Sequence, residues 1–107
     1  MPPIKVEEMN FEKVRDLFLK VFRAKKYDKA FCRKDIDASG AYRIMGFNEG
    51  DNVTHVFSFD EVAGDVWECA YSYKGGFLSK INYKSFKANK TELLALYNEV
   101  ERLNNHS

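Results

Sequence analysis

Between residues 41 and 86 the chain runs through four short stretches rich in aromatic and β-branched residues, separated by turns that carry glycine. An amphipathic helical segment stands on each side. This arrangement limits the fold more than any other feature. Strand-length runs joined by short glycine-bearing turns make hairpins, and successive hairpins make an antiparallel meander. Such a sheet is half-apolar and needs a covering layer, which the two helices supply. The expected fold is α+β: a four-stranded antiparallel β-meander with an N-terminal and a C-terminal α-helix packed on one face, in the order α-β-β-β-β-α. With 107 residues, the whole of 1–107 is expected to form one domain. A domain of this size buries roughly two thirds of the surface its unfolded chain exposes, enough for a core without disulfides or metals.

The strands are expected at Tyr42–Phe47, Val53–Phe59, Val66–Tyr73 and Phe77–Phe86. Side chains alternate between the two faces of a strand. That alternation groups Val53, His55, Phe57 and Phe59 on one face of the second strand and Trp67, Cys69, Tyr71 and Tyr73 on one face of the third. In the fourth it groups Phe77, Ile81 and Tyr83. These sets are expected to meet the helices. The other face then carries Thr54, Ser58, Glu68, Ser72, Lys80, Asn82 and Lys84, interrupted by Val56 and Leu78. The first strand reads either way, with Tyr42 and Ile44 on one side and Met45 and Phe47 on the other.

The helices announce themselves by caps and periodicity. Asn10 suits an N-cap, and Met9 with Val14 fits a hydrophobic staple. Phe11, Val14, Leu17, Phe18, Val21 and Phe22 then recur at helical spacing to about Lys25. Asn89 and Glu92 have capping-box spacing, and Leu93, Leu96, Tyr97, Val100 and Leu103 form the second stripe. Before the first helix, Ile4 and Val6 alternate with Lys5 and Glu7 as in a short edge strand or an ordered arm. Residues 27–40 read as a helical turn capped by Asp28 and holding Ala30 and Phe31, followed by a polar turn.

Charge is segregated although the net charge is only +1. From Ile44 to Tyr73 there are six acids and no Lys or Arg; from Cys69 to Thr91 there are five lysines and no acid. Residues 13–34 hold nine basic groups against Asp16 and Asp28. The overall balance lacks the basic excess of a sequence-independent nucleic-acid binder. The segregation would give a docking surface one acidic and one basic pole.

No set of residues makes a catalytic signature. Asp35-x-Asp37-x-Ser39-Gly40 resembles the opening of an EF-hand calcium loop, but Gly46 stands where the family places its bidentate Glu, and a strand follows where a helix should. Lys74-Gly75-Gly76-Phe77 resembles in part the RNA-recognition-motif signature, but the βαββαβ order is absent. The rings of Tyr42, Phe47 and Phe86 are the ones placed to stack on bases beside lysines. Carboxylate pairs such as Asp60 with Glu61 fall in turns, where solvated charge is the norm. His55 falls in the core register, and His106 in the tail. Cys32 and Cys69 share no metal-type spacing and read as free buried thiols. No apolar run approaches ~18 residues, and no signal-type core opens the chain, so a cytoplasmic location is expected.

These readings lead to a small non-enzymatic intracellular binding protein with no cofactor and no metal. It is expected to inhibit or antagonise a macromolecular target, a protein or a protein–nucleic acid complex, by occluding it. A short, Lys- and Asn-rich single domain without a catalytic set is similar in size and texture to phage or mobile-element antagonists of the anti-CRISPR or immunity type. The expected contact residues are Arg43, Met45, Phe47, Lys80 and Lys84, on the first and fourth strands. An open sheet edge would also admit strand addition or a homodimer. One alternative is a single-stranded nucleic-acid binder using the lysine-rich fourth strand. Another is a small-ligand domain or enzyme with a pocket between sheet and helices lined by His55, Cys69 and Tyr71.

Overall fold

The computed structural model describes residues 5–24, 29–34, 41–48, 53–75 and 81–105. Helix α1 (Phe11–Ala24) starts where Asn10 Oδ1 accepts the Lys13 backbone N–H at 2.9 Å. Met9 and Val14, the two members of the staple, are both buried. Helix α2 (Lys90–Asn105) is capped in the same way: Asn89 Oδ1 accepts from the Thr91 N–H at 2.8 Å and the Glu92 N–H at 3.4 Å. A cap at this position satisfies first-turn donors that have no partner inside the helix.

Between the helices lies one antiparallel sheet of sequential hairpins. Its strands are β1 (Lys29–Lys34), β2 (Ala41–Asn48), β3 (Val53–Asp60), β4 (Val66–Lys74) and β5 (Asn82–Asn89), in spatial order β1-β2-β3-β4-β5. The α+β meander flanked by two helices is therefore the fold, and its four expected strands correspond to β2 to β5, the last of them running to Asn89 rather than Phe86, with Phe77 and Leu78 outside the described residues. A fifth strand precedes them. The segment read as a helical turn at Asp28–Phe31 instead contributes β1, which pairs with β2 from Lys29↔Phe47 to Lys34↔Tyr42. It covers the edge of β2 that the four-strand reading left open.

One face of the sheet and both helices share a single apolar core. Tyr42, Ile44, Phe57, Phe59, Trp67, Cys69, Tyr71 and Ala88 meet Val14, Phe18, Val21 and Phe22 of α1 and Leu93, Leu96, Tyr97 and Val100 of α2. Phe18 sits against His55, Phe57 and Tyr71 at ring distances of 6.3–6.5 Å. Tyr97 meets Tyr42 edge-on at 4.9 Å, and Tyr42 stacks on Phe59 at 4.8 Å. Residues Val6–Glu8 form a 3-10 turn rather than an edge strand, and Val6 is buried beside β4 and β5. The ambiguous faces of β2 are settled: Tyr42 and Ile44 point to the helices.

The register of β5 reverses the expected one. Phe86 and Ala88 face the helices, opposite Cys69 and Trp67. Tyr83 is 71% exposed and Ile81 59% exposed, so neither belongs to the core. Lys84 lies in the helix-side register opposite Tyr71, and its Nζ donates to the Glu7 carbonyl at 2.8 Å. A lysine is tolerated at this rim because its stem covers apolar surface while its ammonium finds a backbone acceptor.

Candidate functional site

With one face of the sheet under the helices, the surface that remains is the other face. Cross-strand register sorts its side chains into rows. One row holds Met45, Val56, Ser72 and Tyr83; the next holds Arg43, Ser58, Ala70 and Ser85. Beyond the second row Glu68 stands opposite Lys87, and beyond the first Thr54 stands opposite Lys74. Past Arg43 the second row is made of small residues, Ser58, Ala70 and Ser85. Ser58, Asp60, Glu68, Ala70, Ser85 and Lys87 line a shallow depression of about 400 Å³ on this face. Val66, 55% exposed, lies past its acidic end, and Tyr83 stands beside it.

The structure separates the residues expected to make contact. Arg43 is exposed and Met45 half-buried on the open face. Phe47 pairs with Thr54 of β3 and Lys29 of β1. Lys80 lies outside the described residues. Lys84 is turned to the helix side and bonded to Glu7. The two strands named for contact, β2 and β5, are separated by β3 and β4. Sequence placed Val56 and Ser58 on this face without a contact role, assigned Tyr83 to the core face, and did not name Ala70 or Ser85. The available signal was the spacing of Phe86 and Ala88, which share a face of β5 and leave Tyr83 on the other.

Of the rings expected to stack on bases, Tyr42 belongs to the core and Phe86 packs against it. Tyr42 is buried against Phe59 and Tyr97, and half-buried Phe86 stacks on Phe57 at 6.0 Å. The groups suggested for a reactive pocket are buried as well, with His55 3%, Cys69 4% and Tyr71 0% exposed. Tyr71 and His55 share a hydrogen bond of 2.6 Å between the hydroxyl and Nδ1. Burial lowers the His55 pKa to about 4, so its imidazole is neutral near pH 7. Burial pushes the Cys69 thiol up to about 12, and its Sγ donates to the Phe86 carbonyl at 3.3 Å. A neutral thiol away from water is neither a nucleophile nor a metal ligand.

Among the described residues no group of three His, Cys, Asp or Glu side chains could hold a metal ion. Asp35, Asp37 and Ser39 lie outside the described residues, and the segment after them is β2 rather than a helix. Among the described residues no helix is long and apolar enough to cross a membrane. Comparison with known proteins returns no match, whether to a family model, a curated protein or a solved structure.

Proposed function

We propose that this chain is a small cytoplasmic binding protein that works without catalysis, inhibiting or antagonising a macromolecular target by covering part of its surface. The observation that carries the reading is the division of labour between the two faces of the sheet. The helix-side face takes up His55, Cys69 and Tyr71, the groups with reactive potential, in a packed core. The other face presents Tyr83 and Val66 to solvent beside a depression floored by small residues. An exposed tyrosine next to a concavity is the usual anchor-and-pocket arrangement of protein interfaces. The target is a protein or a protein–nucleic acid complex, and the resemblance in size and texture to phage or mobile-element antagonists accords with it.

The test is capture from native lysate followed by mass spectrometry, run side by side with variants. Tyr83→Asp removes the anchor. Lys20→Glu alters the exposed side of α1 and serves as control. The expected result is a partner held by the wild type and by Lys20→Glu but lost with Tyr83→Asp at an unchanged melting temperature. An identical partner set for all three proteins would remove the open face from the reading.

A second reading, single-stranded nucleic-acid binding through β5, draws support from the exposed Tyr83 ring on the same strand face as Lys87. Rings beside cations hold single strands in a salt-dependent way. Anisotropy of a labelled oligonucleotide over a salt series tests it, and no binding at low ionic strength would eliminate it.

A further inference from the structure

We infer that the open face of the sheet is self-complementary and pairs with the same face of a second copy about a two-fold axis. Consider an axis lying parallel to the sheet, across the strands, between the row of Tyr83 and the row of Ser85. Rotation about it lays each strand antiparallel over its own copy. Val56 then falls over Ser58, Ser72 over Ala70 and Tyr83 over Ser85 of the second copy, with Met45 over Arg43 at the β2 end. Tyr83 supplies the projecting ring, and the depression floored by Ser58, Ala70 and Ser85 supplies the room for it. The same rotation sets Lys74, one row beyond Ser72, over Glu68, one row beyond Ala70, so opposite charges meet at both ends of the interface. A two-fold contact must be complementary to itself in both shape and charge; Tyr83 with the depression supplies the first and Lys74 with Glu68 the second. Two sheets packed in this way form a sandwich with strands within about 30° of alignment.

The edge of β5 is the weaker route to a dimer. It bears Lys84 and Lys87, and lysines along an outer strand oppose edge-to-edge pairing. The area available is small. Four strands about 4.8 Å apart and about 20 Å long outline roughly 400 Å² per copy. Twice that value lies below the ~1,200–2,000 Å² of stable complexes, so the dimer is weak and concentration-dependent. The inference uses the face assigned to the target, and self-pairing would mask that face until a target displaces the second copy.

Sedimentation equilibrium from about 5 μM to about 1 mM, a span that reaches into the range of weak association, tests this inference. The mass is expected to rise from one chain toward two. Ala70→Arg fills the depression and should hold the chain at one-chain mass throughout. Glu68→Lys and Lys74→Glu should each weaken the dimer several-fold, and the two together should restore it. Circular dichroism of each variant confirms that it is folded. A wild-type mass that stays at one chain up to 1 mM overturns the inference. So does a dimer that Ala70→Arg leaves intact, which would place the contact elsewhere, including the β5 edge. Failure to restore the dimer in the charge-swapped double variant overturns the assigned two-fold. None of these outcomes bears on target capture, which is scored by the Tyr83→Asp comparison in lysate. The charge-swapped variant separates the two readings further, because it should dimerise while presenting reversed poles to any other partner.

Discussion

Tyr71 and His55 are the polar pair at the centre of an aromatic core, and their surroundings decide how the protein responds to acid. The His55 ring is enclosed by Phe18 at 6.3 Å, Tyr73 at 5.1 Å and Tyr71 at 6.1 Å. Burial disfavours the imidazolium, so the folded protein holds off protonation until about pH 4, whereas the unfolded chain takes up the proton near 6.5. Between those values the unfolded state binds more protons, and stability falls as pH drops. The loss should begin near pH 6.5 and reach about 3 kcal/mol below pH 4, on the usual free energy per pKa unit. Urea unfolding at successive pH values measures it, and a His55→Gln variant should lose this part of the slope whatever its starting stability. Equal slopes in the two proteins would mean that His55 is protonated in the fold. Cys69 gives a parallel case. With its thiol pushed up to about 12 and only 4% exposed, iodoacetamide at pH 8 should label it only after denaturation. Peptide mapping by mass spectrometry distinguishes it from Cys32.

At the scale of elements, two asparagines define both helix starts. Asn10 and Asn89 each give a side-chain oxygen to first-turn N–H groups, so Asn10→Ala and Asn89→Ala should each cost about 1 kcal/mol in denaturant titrations. A loss confined to Asn10→Ala would show that the start of α2 is held chiefly by Asp65, whose carbonyl accepts the Lys90 N–H at 2.9 Å. The turn before β4 rests on Gly64, with φ of +96°, whose carbonyl accepts from the Trp67 indole N–H at 3.2 Å. Gly64→Ala should therefore cost about 1 kcal/mol through backbone strain alone, there being nothing near a new Cβ. These caps and turns were legible in the sequence because they depend on local chemistry. The strand β1 was not. Its residues, Lys-Ala-Phe-Cys-Arg-Lys, carry no alternation of their own, and the strand exists through its ladder with β2. The β5 register was misread for a related reason. Ile81 and Tyr83 are good core residues in isolation, but Phe86 and Ala88 bind β5 to the core, and Lys84 escapes at the rim to the Glu7 carbonyl. A period-two pattern gives two faces without saying which is buried, and only pairing with β4 decides it.

For the molecule as a whole, the sequence carried the layer order and most of the core, while the working surface had to wait for the strand pairing. The depression is a product of three residues on three strands, Ser58, Ala70 and Ser85, which no local pattern brings together. The core has the opposite property: its members follow helix and strand periods and converge on one cluster. Val6 and Met9 before α1, Phe18 in α1, Phe57 and Tyr71 in the sheet, and Leu93 and Val100 in α2 all belong to it. Removing bulk anywhere in that cluster should therefore lower the stability of the entire chain rather than loosen one element. Phe18→Ala and Leu93→Ala are each expected to cost about 3–5 kcal/mol, the usual range for large side chains deleted from a close-packed interior. Trp67, buried against Tyr42 and Phe59, reports on the sheet by fluorescence, and far-ultraviolet circular dichroism is dominated by the helices. If one core holds both layers, the two signals should trace the same transition in the wild type and shift together in both variants. A fluorescence midpoint that stays in place while the dichroism midpoint moves would divide the chain into separately folding parts. The shared core would then be a contact between units and not the source of their stability.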